Sequence, residues 1–235
     1  MKKYAFISFM LLISLSSHAQ FSRFSTGLHI MVDDALQSYG TNLETNPVGL
    51  LFTGLYHIPN SRFSLGSDVG VAMYRGDSYT LDLSDEGYAN SYATVDEEDC
   101  YMAYSVFLRY DLLKFGPLTP YAQISLGGAS FFSTKEYSDL SGSNAPESIE
   151  SELEIHGTSL KTGIGAGIML NFGQLRKEKR VSRISMDLGA TINHGSTASY
   201  RSLIHAKSGT STSQDNFFES NTHNVVYRMG VLYRF

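Results

Sequence analysis

Apolar and polar residues alternate at every second position along most of the chain beyond residue 20. A period of two is typical of β-strands, because successive side chains of a strand point to opposite faces of the sheet. The alternation occurs in eight segments, at roughly 22–33, 46–58, 63–75, 100–114, 120–132, 158–173, 182–194 and 223–235. The chain is therefore predicted to be an all-β protein with eight strands.

The length of these segments favours strands that cross a membrane. Most of them contain about 12–15 residues, whereas a strand of a soluble domain has about 5–6 and a tilted membrane-spanning strand needs about 9–11. In hydrocarbon every backbone N–H and C=O must be paired, and a sheet achieves this only when it closes on itself. The pattern thus predicts a transmembrane antiparallel up-and-down β-barrel of eight strands.

The connections between the segments alternate in length. Short connections at 59–62, 115–119 and 174–181 alternate with long ones at 34–45, 76–99, 133–157 and 195–222. Short periplasmic turns and long external loops are typical of outer-membrane barrels. Because the strand number is even, we expect both chain ends on the periplasmic side, together with the short turns.

Aromatic residues gather near the ends of the segments, as in the two girdles that flank the apolar band of such barrels. The periplasmic girdle is predicted to contain Phe24, Tyr56, Phe63, Phe115, Tyr121, Phe172, Tyr233 and Phe235. The outer girdle is predicted to contain Tyr74, Tyr101, Tyr104, Phe131, Phe132 and Tyr227.

Residues 1–19 have the layout of a secretory signal peptide. Two lysines precede an apolar run at 4–15, and a small-residue exit ends at Ala19. The run is too short for a stable spanning helix, which needs roughly 20 apolar residues, so an uncleaved anchor is the less favoured alternative. We expect a signal peptide at 1–19 and one barrel domain at 20–235.

The composition narrows the classes of function. The formal charge is −5, and loss of Lys2 and Lys3 with the signal lowers it to −7, whereas a nucleic-acid partner requires a basic face. Cys100 is the only cysteine, which excludes an internal disulfide framework. A Gly-rich phosphate loop, a zinc-type histidine cluster and a cysteine pair are all missing from the sequence, and neither a cofactor nor a metal is predicted.

The chain ends in Val231-x-Tyr233-x-Phe235. This alternating apolar run with a terminal Phe resembles the C-terminal β-signal that outer-membrane proteins offer to the barrel-assembly machinery. With its Ala19–Gln20 junction, the mature chain resembles the small outer-membrane β-barrel proteins of the OmpA/OmpX/porin-like type, particularly those of Bacteroidetes. The resemblance implies a location in the outer membrane among lipid and lipopolysaccharide, and the assembly machinery as a partner through Phe235. It implies little about activity.

The interior of an eight-stranded barrel is only wide enough for side chains to fill. The inward positions are predicted to hold His29, Asp68, Arg109, Asp111, Lys161, Asp187, Asn193, Arg228 and Arg234, with His57 as a further candidate. Charges in such an interior must pair or stay hydrated. We therefore expect a structural network of ion pairs and water, and a narrow polar pathway for small solutes is the alternative.

Two of the predicted external loops are acidic. The first, 76–99, contains Asp77, Asp82, Asp85, Glu86, Asp96, Glu97, Glu98 and Asp99 and neither Lys nor Arg. The second, 133–157, contains Glu136, Asp139, Glu147, Glu150, Glu152 and Glu154 beside Lys135. We expect solvated loops whose like charges repel one another. Carboxylates also suit Ca²⁺, but the spacing of an EF-hand is missing.

One short motif raises an enzymatic alternative. His194-x-Ser196 lies at the outer end of the seventh segment and resembles the His-x-Ser-Asn motif of the lipid A deacylase family, with Thr197 in place of the Asn. The resemblance implies that Ser196 is the nucleophile and His194 the base, and Glu219 would orient the base. The period of two puts His194 and Ser196 on the lipid-facing side.

The favoured interpretation is a non-enzymatic barrel of the outer membrane, with long acidic external loops and a role in envelope integrity or surface interaction. Its extracellular partner is unknown. A lipid A deacylase-like hydrolase and a narrow small-solute channel are the alternatives from other classes. A soluble lipid-binding barrel of the calycin type is less favoured, because its outward faces would have to be polar.

Overall fold

The structure is a computed structural model, and it describes residues 23–43, 45–82, 91–113, 115–142, 151–172, 183–201 and 217–235. The signal peptide predicted at 1–19 lies outside the described residues. Among the described residues, no helix combines the length and the hydropathy that a membrane crossing requires.

Eight antiparallel strands form a closed barrel, which confirms the predicted fold class. Its strands are β1 (Phe24–Ala35), β2 (Val48–His57), β3 (Phe63–Asp82), β4 (Ser91–Asp111), β5 (Leu118–Gly142), β6 (Glu152–Asn171), β7 (Ile184–Gly195) and β10 (Asn224–Arg234). A short helix, α1 (Gln37–Leu43), follows β1, and a hairpin of β8 (Thr197–Arg201) and β9 (Phe217–Asn221) precedes β10. The barrel closes where β10 pairs with both β7 and β1.

The alternation of the sequence decides which side chains face outward. On β6, Leu160, Ile164 and Ile168 are exposed, whereas Lys161 between them is buried. The same apolar exterior continues around the barrel, with exposed Leu28, Ile30, Leu50, Phe52, Val69, Val71, Val106, Ile124, Leu126, Leu188, Ile192, Met229 and Val231. A contiguous apolar belt of this kind is unfavourable in water and favourable in lipid, which argues against the soluble calycin-type alternative.

Large rings fill the space that inward glycines leave in the lumen. A Cβ atom at Gly66 would overlap the ring of Phe107, and one at Gly167 would overlap Tyr121. Both rings are buried. The glycines are therefore positions where the strand backbone supports an aromatic side chain, because any side chain there would displace the ring.

Four strands continue far beyond the barrel, and the prediction of loops at 76–99 and 133–157 was therefore wrong in large part. Their continuations form a second region, here called the outer sheet, at 75–82, 91–99, 132–142 and 152–157. Register shifts after Met73 and after Phe131 mark its border with the barrel, as bulges often do at barrel rims. Polar residues on both faces suit a sheet in water as well as a loop, so the sequence pattern did not separate the two.

The stretches 34–45 and 195–222, predicted as loops, contain α1 and the β8–β9 hairpin. Eight of the residues predicted for the aromatic girdles are exposed, as a girdle requires, namely Phe24, Phe63, Tyr104, Phe115, Phe172, Tyr227, Tyr233 and Phe235. Four predicted girdle residues point inward and are buried instead, namely Tyr74, Tyr101, Tyr121 and Phe131. These four residues lie near strand ends, as girdle residues do. They occupy the alternate positions whose side chains point into the lumen.

Candidate functional site in the lumen and the outer sheet

A network of charged side chains crosses the inner half of the lumen, with Asp187 at its centre. Asp187 Oδ1 accepts a hydrogen bond of 2.7 Å from the Tyr121 hydroxyl. Asp187 Oδ2 lies 3.1 Å from Nε2 of His29, 3.5 Å from the guanidinium of Arg109 and 3.6 Å from Nε of Arg228. Two arginines and a histidine therefore share one carboxylate that is fully shielded from solvent.

Arg228 links this carboxylate to a second one. Its guanidinium lies 3.2 Å from Asp68 Oδ2 and donates to Gln123 Oε1 at 2.6 Å and to the Tyr121 hydroxyl at 3.1 Å. Asp68 Oδ1 also accepts a hydrogen bond of 2.6 Å from Thr53. The positive and negative groups are thus balanced within one connected network, which is the condition for burying charge at low cost.

Aromatic stacking completes the closure of the inner lumen. The Arg109 guanidinium carbon lies 3.9 Å from the centre of the Tyr121 ring and 5.4 Å from that of Phe107. A cation over an aromatic face is attracted by the ring electrons. Arg109, Tyr121 and Phe107 are almost fully buried, so these three side chains pack tightly in the part of the lumen that they occupy.

A cavity of about 70 Å³ lies above this network. It has room for on the order of five water molecules. Its wall includes the polar residues Ser105, Ser125, Asn193 and Lys161 and the apolar residues Met31, Leu51 and Val226. The cavity is therefore of mixed character, and Arg228 lies at its border with the charged network.

An aromatic cluster covers the outer end of the lumen. Tyr39 of α1 packs edge-on against Phe131 and Tyr200, with ring centres 6.1 and 5.1 Å apart. Asn42 of α1 donates to the Tyr200 hydroxyl at 3.0 Å and so fixes the helix to β8. Burial raises the pKa of the Tyr39 phenol well above its ordinary value, so this group stays protonated in the cluster.

The outer sheet has an internal charge network of its own. Glu97 is buried and contacts Arg201 of β8 and, at 3.8 Å, Lys135 of β5. Asp99 is also buried, and the guanidinium of Arg75 lies 3.2 Å from it. Two acids that the sequence analysis placed in a solvated loop therefore bind cations inside the structure, and the β8–β9 hairpin is attached through one of these ion pairs.

The opposite face of the outer sheet is acidic. Asp96 and Glu98 of β4 and Glu136 of β5 are exposed there, and Asp96 lies directly opposite Glu136 in the register. The edge strand β6 contributes the exposed apolar side chains of Leu153 and Ile155 to this face. Arg75, Lys135 and Arg201 contact Asp99 or Glu97 on the inner face, so the charged side chains described on this part of the outward face are carboxylates. Asp85, Glu86, Glu147 and Glu150 lie outside the described residues.

The structure does not bring the three residues of the enzymatic alternative together. His194 and Ser196 are exposed at the rim of the barrel, as predicted. The His194 ring contacts the His223 ring at 5.3 Å, and Ser196 Oγ accepts a hydrogen bond from the Leu160 N–H. Glu219 is paired in register with Ser199 on the hairpin. Within the described residues no hydrogen bond joins Glu219 to His194, and no group of three or more His, Cys, Asp or Glu side chains could hold a metal ion.

Most of the charged residues predicted to face the lumen do so. His29, Asp68, Arg109, Lys161, Asp187 and Arg228 are buried there. His57 lies at the periplasmic end, between the hydroxyls of Ser25 and Ser64 at 2.8 and 3.0 Å. Tyr121 and Gln123 were not predicted as members of the lumen network, although they occupy alternate positions whose side chains point inward. Their segment alternates poorly, since Gly128 and Ser130 interrupt the series of apolar residues at every second position.

Comparison with known proteins supports the fold. No family model matches the chain, and no curated protein matches it. Among solved structures, Neisserial surface protein A superposes with a TM-score of 0.54 at 12% identity, covering 90% of this chain and 97% of that one. Ail of Yersinia pestis, solved with the heparin analogue sucrose octasulfate, has a TM-score of 0.47 at 13% identity, covering 91% and 98%. OprG of Pseudomonas aeruginosa has a TM-score of 0.40 at 13% identity, covering 90% and 94%.

These identities establish likeness of fold alone, and only the first superposition is close enough to support an argument. The superposition with Neisserial surface protein A covers nearly the whole of both chains. The apolar belt supplies independent physical evidence for a lipid environment. Together, the closed sheet, the belt and the shared architecture identify the chain as a small eight-stranded β-barrel protein of the outer membrane.

Proposed function

We propose that this barrel is a non-enzymatic, non-conducting protein that presents its outer sheet to a partner outside the cell. The observation that carries the proposal is the contrast between the two ends of the same strands. Inside the membrane the inner half of the lumen is filled by buried side chains, whereas β3 to β6 continue for several residues beyond the barrel. β5 alone has 25 residues, more than twice the 9–11 or so that a spanning strand needs.

The outer sheet is built as a rigid surface. Buried ion pairs at Glu97 and Asp99 hold its inner face, and Arg201 of the β8–β9 hairpin is one of the partners of Glu97. A flexible loop would lose conformational entropy on binding, whereas a preformed sheet avoids most of that cost. Such construction supports a role in recognition.

Charge indicates the class of partner. On the outward face Asp96, Glu98 and Glu136 are exposed, and two of these carboxylates are direct cross-strand neighbours. Like charges directly opposite one another destabilise a sheet, so a cationic partner would relieve that repulsion. We therefore propose a basic protein or peptide surface as the partner, bound in a salt-dependent manner.

The purified barrel is expected to produce no unitary currents in planar bilayers. In a separate measurement, it is expected to bind immobilised polylysine. The triple variant Asp96→Asn, Glu98→Gln, Glu136→Gln is expected to bind polylysine at least several-fold more weakly, because it removes three exposed charges without changing side-chain size. Both proteins would be measured in lipid nanodiscs at several salt concentrations.

The control is a carboxylate that lies outside the outer sheet. Asp34→Asn removes a carboxylate near the end of β1, away from the outward face of the outer sheet, and should leave binding unchanged. Equal losses in the two variants, or binding insensitive to salt, would contradict the proposal. Reproducible single-channel currents would favour the narrow-channel alternative, and an altered lipid A acyl pattern in expressing cells would favour the hydrolase.

We also propose that Phe235 is read by the barrel-assembly machinery. Phe235 closes the periplasmic end of the barrel, where its backbone N–H donates to the Phe24 carbonyl at 3.1 Å and its ring contacts Tyr233 at 5.3 Å. Its side chain is half exposed, so Phe235→Ala is expected to change the free energy of unfolding by less than about 1 kcal/mol.

In cells, by contrast, Phe235→Ala is expected to lower the amount of folded barrel in the outer membrane several-fold. Phe172→Ala is the control, because Phe172 is a similarly exposed aromatic residue at the same end of the barrel. The folded amount is read from the heat-dependent shift on a gel of the outer-membrane fraction. Equal assembly of the two variants would refute a signal role for Phe235.

A further inference from the structure

We propose that the outward face of the outer sheet binds a basic amphipathic helix, whose apolar stripe covers two exposed apolar side chains of β6. This inference rests on the proposed function and names the chemistry of its partner. The two side chains, Leu153 and Ile155, are here called the apolar strip, and they are 65% and 67% exposed. Glu154 between them points to the other face, since it pairs in register with the buried Ser133.

The apolar strip lies outside the membrane. β6 ends at Asn171 on the periplasmic side, and Ile155 precedes that end by sixteen residues. At the rise and tilt of barrel strands this distance is roughly 40 Å, whereas the apolar band of an outer-membrane barrel is about 25 Å tall. Hydrocarbon therefore does not cover the strip. Neighbouring apolar side chains that are exposed to water on one face indicate an interaction site.

Carboxylates lie beside the apolar strip on the same face. Leu153 pairs in register with Thr134 of β5, and Thr134 pairs with Glu98 of β4. Since neighbouring strands are about 4.8 Å apart, the backbones of Leu153 and Glu98 are about 10 Å apart. The paired carboxylates of Asp96 and Glu136 extend the acidic part of the face. The face is therefore apolar on β6 and acidic on β4 and β5.

The size and charge of this face identify the occupant. An α-helix with its side chains is about 10–12 Å wide, which matches the separation of the apolar and acidic parts. A helix that lies along β5 can place its apolar stripe on β6 and its basic residues on the carboxylates. A wholly apolar partner would bury those carboxylates without a counter-charge. A second copy of this chain would bring its own carboxylates against them, since a two-fold interface joins identical surfaces.

The experiment compares two 18-residue peptides that contain the same numbers of Leu and Lys. In the first peptide Leu recurs with the period of a helical stripe, and in the second Leu and Lys are spread around the helix. The whole barrel is measured in nanodiscs of zwitterionic lipid, and binding to empty nanodiscs is subtracted. We expect the wild-type protein to bind the first peptide at least about tenfold more tightly, because only that peptide covers the apolar strip.

The double variant Leu153→Gln, Ile155→Thr is expected to bind both peptides equally and to bind polylysine like the wild-type protein. A matched control makes the same two replacements, Leu113→Gln and Ile58→Thr, at exposed residues of the periplasmic end. It should keep the tenfold preference for the first peptide. The triple variant of the outward carboxylates should bind both peptides more weakly.

Equal binding of the two peptides to the wild-type protein, with polylysine still bound, would overturn this inference and leave the proposed function in place. Failure of the peptides and of polylysine to bind would overturn both. A preference for the first peptide that persists in the double variant would also refute the assignment, as would a dimer of the barrel that depends on Leu153 and Ile155.

Discussion

Replacing Asp187 with alanine is expected to lower the free energy of unfolding of the barrel by about 3–5 kcal/mol. The variant leaves the guanidinium groups of Arg109 and Arg228 in the lumen without the carboxylate that lies within 3.6 Å of both. The Tyr121 hydroxyl and the His29 ring lose a hydrogen-bond partner at the same time. Because the site is fully shielded from solvent, water cannot easily replace the lost acceptor.

Asp77→Ala is the matched control for this measurement. Asp77 also binds an arginine, with 2.6 Å between its carboxylate and Arg75, but its side chain is 49% exposed. A pair of that kind contributes at most about 1 kcal/mol. The folded fraction is read across a urea series from the migration of unheated samples on a gel. Similar urea midpoints for the two variants would show that the lumen network does not stabilise the barrel.

Replacing Ile164 with arginine is expected to cost about 2–4 kcal/mol in lipid vesicles, as for a charge near the midplane on the lipid face of a barrel. Ile164 is 71% exposed and lies near the middle of the apolar stretch of β6. The guanidinium would have to reach an interface through hydrocarbon or draw water into the bilayer.

The same strand supplies the control. Leu153 is 65% exposed, almost as much as Ile164, but it lies eleven residues further along β6. At the rise and tilt of barrel strands this is about 25–30 Å, close to the thickness of the hydrocarbon core. Leu153→Arg is therefore expected to cost less than about 1 kcal/mol. If both variants lost the same stability in vesicles, the outer sheet could not lie outside the membrane.

The sequence predicted the barrel because its strongest signal comes from the membrane itself. Lipid on one side and a packed lumen on the other impose a strict alternation on residues such as Leu160 and Lys161, and that alternation appears in the sequence. This alternation predicted the number of strands, the closure of the sheet and the side of the sheet on which most charged residues lie.

Beyond the membrane this constraint is missing, and the strands of the outer sheet were therefore predicted as loops. Both faces of the outer sheet can be polar, because one contacts water and the other contains ion pairs such as Arg75–Asp99. Residues of strands and loops then have the same composition. The pairing that joins Asp99 to Ser133 depends on register across distant parts of the chain, which the local pattern does not contain.

The candidate site could be predicted only in part, and the reason is related. The alternation predicted which charged residues point into the lumen. It did not predict which of them contact each other, because that depends on the register between neighbouring strands. The pairing of Glu219 with Ser199 in the β8–β9 hairpin likewise depends on register, which the local pattern around the hydrolase motif does not contain.

The pairing of β1 with β10 also has a consequence for biogenesis. The seam joins Ser25 to Arg234, residues from opposite ends of the chain. Until β10 has been made, the polypeptide therefore lacks the strand that β1 requires, and two sheet edges stay unsatisfied. Closure of the barrel thus depends on one very non-local contact, and a chain with open sheet edges is prone to aggregation before that contact forms.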